Sequence, residues 1–138
     1  TLYRFTPRGW DGTNFSAESN ICEGTTLTTS DVTAPTVPTG LHAFRTRSGE
    51  GLSDISMTWT ASTDAVGVTL YLIERGDSTC SNFIQIKTSP SASAEDVDVN
   101  VPILESRCYR VRACDLAGNL SNYSDSFLIP PVSGGRIR

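Results

Sequence analysis

Ile55-Ser56-Met57-Thr58-Trp59-Thr60 alternates apolar and polar residues without a break. At a period of two, Ile55, Met57 and Trp59 fall on one face of a strand and the hydroxyl residues on the other. Working outward, residues 47–53 read as a turn and residues 40–46 as the strand before it. Downstream, residues 64–68 form a loop, 69–75 and 82–87 are strands, and 88–95 make a polar turn. Val97, Val99 and Val101 alternate with Asp98 and Asn100, a half-buried strand. Residues 108–114 form a strong strand, 116–119 turn, and 123–129 close the sheet. No twelve-residue window carries a capped helical period. Seven short strands over residues 39–129 predict an all-β, seven-stranded antiparallel β-sandwich.

The flanks read differently. Leu2-Tyr3-Arg4-Phe5 looks like a strand, and Asp11-Gly12 suits a two-residue hairpin turn between Trp10 and Thr13-Asn14-Phe15. This predicts a β-hairpin extension. Residues 24–38, rich in Thr with Pro35 and Pro38, read as an extended linker. The expected organisation is extension and linker over 1–33, sandwich over 34–130, and a Gly-rich basic tail over 131–138.

Composition narrows the function classes. The net charge is −4 and no basic cluster occurs, which argues against nucleic acid. Ten of the eleven cations are arginine, the exception being Lys87. No apolar run is long enough for a membrane span, and any signal peptide is expected to have been removed already. The four cysteines, Cys22, Cys80, Cys108 and Cys114, lack CxxC spacing. In a domain rich in Thr, Ser and Gly they read as two disulfides, and so as an extracellular or cell-surface protein. Free buried thiols are the other reading.

The sequence resembles the fibronectin type III family, in the form found in bacterial secreted proteins. Ala34-Pro35-Thr36-Val37-Pro38-Thr39-Gly40-Leu41 is similar to the family's approach to its first strand, and Trp59 to its core tryptophan. Val68-Thr69-Leu70-Tyr71-Leu72-Ile73-Glu74-Arg75 resembles the third strand. Ile103, six residues before Tyr109, matches the Leu-to-Tyr spacing ahead of the sixth, and Tyr109–Ala113 resembles that strand itself. Asp115-Leu116-Ala117-Gly118-Asn119-Leu120-Ser121 is similar to the loop that follows. Glu105 stands where the family often has proline, and no Arg-Gly-Asp triplet is present. The resemblance covers residues 34–130 and leaves 1–33 outside it.

In a sandwich of that family Cys80 and Cys108 lie at one end, while Cys22 and Cys114 approach each other at the opposite end. The resemblance therefore implies Cys80–Cys108 and Cys22–Cys114. It also turns Tyr71, Ile73, Tyr109 and Val111 inward and Leu70, Leu72, Arg110 and Arg112 outward, bordered by Phe83 or Ile84. That strip, with Tyr3 and Phe5, is a candidate protein-binding surface. The alternative is that the leading segment covers it.

Catalysis finds no support. His42 is the one imidazole, placed in a strand without an acid to orient it. No Gly-rich phosphate loop occurs, and no cofactor is expected. Asp64, Asp115 and Asn119, with Asp31 nearby, could offer calcium its oxygen ligands, or could simply make Asx turns that shape their loops. Trp10 at a hairpin tip could stack on a sugar ring or be buried. The expected role is a non-catalytic extracellular interaction or structural module. One version is a subunit of a surface filament whose N-terminal arm pairs with other subunits, copies of itself included. The alternative is an accessory carbohydrate-binding or spacer module of a secreted polysaccharide-degrading enzyme.

Overall fold

Alternation along the strands sorts side chains into an inner and an outer set, and the inner sets of two sheets meet. The computed structural model describes residues 31–133 together with the backbone of residues 2–5 and 22–25. Its strands are β1 (Leu2–Phe5), β2 (Cys22–Thr25), β3 (Thr39–Gly49), β4 (Leu52–Thr60), β5 (Val68–Gly76), β6 (Ile84–Pro90), β7 (Glu95–Pro102), β8 (Arg107–Asp115) and β9 (Phe127–Ile129). Strands β3-β4-β7 make one sheet and β6-β5-β8-β9 the other. All pairs are antiparallel. A two-stranded sheet of β1 and β2 precedes them. The fold is a seven-stranded sandwich with an added hairpin.

Ile55, Met57 and Trp59 from β4 pack against Tyr71 and Ile73 from β5 and Tyr109, Val111 and Ala113 from β8. The Trp59 and Tyr71 rings meet edge to face, with centroids 5.2 Å apart. Burial of each large side chain stabilises the fold by about 1.5–3 kcal/mol. The Tyr71 hydroxyl is not orphaned, because it accepts the Ser62 backbone N–H at 2.8 Å.

Several boundaries differ from the sequence expectation. Residues 47–53 are mostly strand: Gly49 pairs with Leu52, leaving a two-residue turn at Glu50-Gly51. Gly51 sits at φ 71°, which its missing Cβ permits. Strand β6 begins at Ile84 and runs to Pro90, so the polar turn after it shrinks to residues 91–94. Strand β9 starts only at Phe127. Ahead of it, the chain meets β8 through isolated backbone bonds supplemented by serine side chains. Ser121 Oγ accepts the Ala113 N–H at 2.9 Å, and Ser124 Oγ accepts the Val111 N–H at 3.0 Å. Gly24 and Thr25, expected in the linker, belong to β2 and pair with Tyr3 and Leu2. The turn expected at Asp11-Gly12 lies outside the described residues.

The alternation in β7 is also corrected. Val97 and Val99 face solvent, while Val101 is buried. The cause is a bulge. Ser53 pairs with Val101 but Ile55 pairs with Asp98, so two residues of β7 stand opposite Asp54 alone. Asn100 takes φ 59° there, and its N–H donates to Asp54 Oδ1 at 3.1 Å. The phase change turns Asp98 toward the other sheet. Its Oδ2 accepts from the Tyr109 hydroxyl at 2.8 Å and from Arg75 Nη1 at 2.9 Å, tying β7 to β8 and β5.

The two ends of the sandwich are fastened differently. At one, Cys80 is joined to Cys108. Asp77 shapes the loop that presents Cys80. Its carboxylate accepts from the hydroxyl and N–H of Thr79, from Asn82 Nδ2 and from the Ser81 N–H. Those bonds, Thr79's hydroxyl first, hold its pKa far below the usual carboxylate range. A Cβ on Gly76 would lie 2.7 Å from the Ser81 carbonyl oxygen, so only glycine fits under this loop. At the same end Arg45 donates to the Pro130 and Pro102 carbonyls at 3.1 and 3.3 Å, and to that of Glu105. The chain leaving β9 is thereby held against the β7–β8 connection.

Candidate functional site

The opposite end receives the chain from residue 31. Thr36 donates its N–H to the Thr63 carbonyl at 3.0 Å, and Thr36 Oγ1 accepts the Thr63 N–H at 2.8 Å. The incoming segment is thus stitched to the β4–β5 loop. The loop after β8 clasps the same segment. Asn119 Nδ2 donates to the carbonyls of Asp31 and Thr33 at 3.1 and 3.2 Å, and to Asp115 Oδ2 at 2.9 Å. The Asn119 N–H donates to Asp115 Oδ1 at 2.8 Å.

This stitching gathers acids. Asp31, Asp64 and Asp115 each place a carboxylate oxygen within 4.8 Å of the others, and Asp115 is fully buried. One oxygen of each outer carboxylate closes an Asx turn: Thr33 N–H donates to Asp31 Oδ1 and Val66 N–H to Asp64 Oδ2. Asp31 Oδ2 is buried and has no hydrogen-bond partner. Of the residues singled out in the sequence, Asp31, Asp64, Asp115 and Asn119 all meet here. Asn119, however, enters as the donor that clamps the incoming chain. All the available atoms are hard oxygens, so the cluster can hold a divalent cation and offers no soft ligand for a transition metal.

The outer face of β5 and β8 corrects the expected binding strip. Leu72 is not exposed. It is fully buried, packed with Cys114 and beside Leu70 and Leu120. Arg110 and Arg112 do lie on this face but are engaged. Arg110 Nε donates to Glu74 Oε2 at 2.8 Å, and its guanidinium stacks over Phe83 and Tyr123 at 4.1 and 3.7 Å. Arg112 lies over Tyr123 at 4.5 Å. Cys114 is itself disulfide-bonded. The side chain of its expected partner, Cys22, lies outside what the structure describes, as do the side chains of Tyr3 and Phe5 and the whole of Trp10.

Another face was missed from the sequence. The outer side of the three-stranded sheet carries an open groove of about 660 Å³ lined by Phe44, Ser56, Thr58, Glu95 and Val97 among others. Phe44 is 50% and Val99 56% exposed. Asn100, placed between strand residues, was the available signal, since asparagine tolerates the left-handed backbone that shifts the phase. His42 is exposed and its ring meets Phe127 edge-on at 5.1 Å. No helix of the described residues is long and apolar enough to cross a membrane.

Comparison with known proteins agrees with this architecture. No family model matches the chain. It is 39% identical over 94 residues to Exoglucanase B of Cellulomonas fimi, a match covering 68% of this chain and 8% of the relative. It is 34% identical over 129 residues to Chitinase A1 of Niallia circulans, covering 91% of this chain and 17% of that protein. The chain thus spans less than a fifth of either relative. Among solved structures, the FN3 domain of human collagen XX superposes with a TM-score of 0.52 at 16% identity, covering 75% of this chain and 98% of that one.

Proposed function

Because the chain belongs to the fibronectin type III family, we propose that it is a non-catalytic accessory module of a polysaccharide-degrading enzyme, spacing its catalytic part from a neighbouring domain. The observation carrying this reading is the size of the matches: the chain corresponds to 8% of an exoglucanase and 17% of a chitinase. A segment that small in an enzyme of that kind fits a supporting role. The geometry favours a spacer. The chain arrives beside Asp115, at one end of β8, and leaves after Ile129, which pairs with Arg107 at the other. The nine residues of β8 set those points roughly 30 Å apart. A sandwich held by a disulfide and two inter-sheet polar ties keeps that distance better than a flexible linker does.

The Cys80–Cys108 disulfide supports an extracellular setting for the module. The surface-filament role, first expected from the N-terminal arm, has the weaker support. The relatives are polysaccharide-degrading enzymes, and the leading strand β1 pairs within its own chain, with β2. To test the reading, the chain is incubated with cellulose, chitin and soluble β-glucans and reducing sugar is measured. None is expected above blank. Sugar release that survives further purification would make the chain an enzyme and end this proposal.

A further inference from the structure

We propose that the loop end of the sandwich binds calcium through Asp31, Asp64 and Asp115, and that the ion locks the incoming chain to the domain. This goes beyond the spacer role and does not depend on it. Three carboxylates converge within 4.8 Å, and none of the ion pairs among the described residues involves them. An acidic cluster alone proves little, since exposed acids often gather without an ion. Two features set this one apart. Asp115 is fully buried, with only the two Asn119 N–H groups as partners. Asp31 Oδ2 is buried with no partner at all. A lone carboxylate oxygen kept from water beside two other carboxylates is a costly arrangement, and a cation removes the cost.

The donor set selects the ion. Hard oxygens suit calcium and magnesium, whereas thiolate and imidazole are missing from the cluster. The three carboxylates come from separate segments: the incoming chain, the β4–β5 loop and the loop after β8. Such ligands adapt to the irregular shell of six to eight oxygens that calcium accepts, and less readily to the strict octahedron of magnesium. The affinity expected of such an extracellular site is on the order of 0.1–1 mM. Asp31 lies on the segment that leads into the sandwich. Occupancy would therefore add a metal bridge to the hydrogen bonds that Asn119 already makes to that segment.

The test measures thermal unfolding and calorimetric binding of the full chain, stripped with chelator and titrated with calcium chloride. Asp31→Asn and Asp64→Asn are compared with the parent. Asparagine keeps the Asx turn through its side-chain oxygen, so these variants remove charge without dismantling the loops. Calcium at tenfold over its Kd should raise the parent's Tm by roughly 5 °C. Each variant should bind at least ~10-fold more weakly. In chelator both should melt at or above the parent, because a repelling charge has gone. No calcium-dependent shift in the parent would overturn the proposal. So would a shift that both variants retain in full, or an equal shift with magnesium chloride.

Discussion

Tyr109→Phe removes one oxygen from the centre of the sandwich and leaves the rest of the ring in place. The ring is fully buried, so its apolar packing survives the change. What is lost is the 2.8 Å hydrogen bond to Asp98 Oδ2. A bond to a charged acceptor contributes about 1.5–3 kcal/mol. Asp98 would keep Arg75 at 2.9 Å, so its carboxylate is not stranded, and the cost falls in the lower half of that range, about 2 kcal/mol. Urea unfolding should show an unchanged slope and a midpoint lower by roughly 1 M. The same pair sets a pH response. Burial, then the negative charge of Asp98, raises the Tyr109 pKa above its ordinary 10.0. The unfolded chain therefore loses this proton first. The contribution is complete below pH 10.0 and fades as pH rises above it, toward the folded value. Tyr109→Phe should flatten the decline of stability in that alkaline window. A loss under ~0.5 kcal/mol at neutral pH, with an unchanged alkaline slope, would refute the inter-sheet tie.

Other perturbations probe separate devices. Replacing Cys80 and Cys108 by alanine frees a loop with a sequence separation of 28, for which chain entropy predicts a loss of about 3.5 kcal/mol in denaturant unfolding. Asn100→Val forces a β-branched residue into φ 59° and should cost about 1–2 kcal/mol, while Asn100→Gly should be near neutral; calorimetry of both separates backbone strain from side-chain loss. Ser124→Ala strips the acceptor from the buried Val111 N–H and should cost about 1–2 kcal/mol, with faster hydrogen exchange at that amide.

Most of the sandwich was legible because its central strands alternate cleanly. Ile55, Met57 and Trp59 announce β4, and Tyr71, Tyr109 and Val111 take the inward positions that the family resemblance implied. The failures have physical causes. Leu72 looked outward-facing and exposed, which was half right: it points away from the main core yet packs in a second apolar cluster with Cys114. Period-two reasoning assigns a face but cannot say whether anything covers it. In β7 the pattern itself misled. Three alternating valines imply one face, but the bulge at Asn100 splits them between two and brings Asp98 against Tyr109. The edge before β9 escaped notice because Ser121 and Ser124 imitate strand acceptors with their side chains. The acidic cluster was partly visible. Asp64, Asp115 and Asn119 stand out as loop residues and Asp31 was expected near them, but that its carboxylate joins theirs depends on where the incoming segment docks, a long-range contact that no local pattern encodes.

The role of a rigid spacer can be measured by placing the chain between a cellulase catalytic domain and a cellulose-binding domain. The comparison is a Gly/Ser linker of equal average reach. Activity is then followed on crystalline cellulose and on a soluble substrate. The account predicts faster hydrolysis of the crystalline substrate with the sandwich in place, and equal rates on the soluble one. Equal rates on both substrates, or a gain confined to the soluble one, would contradict it.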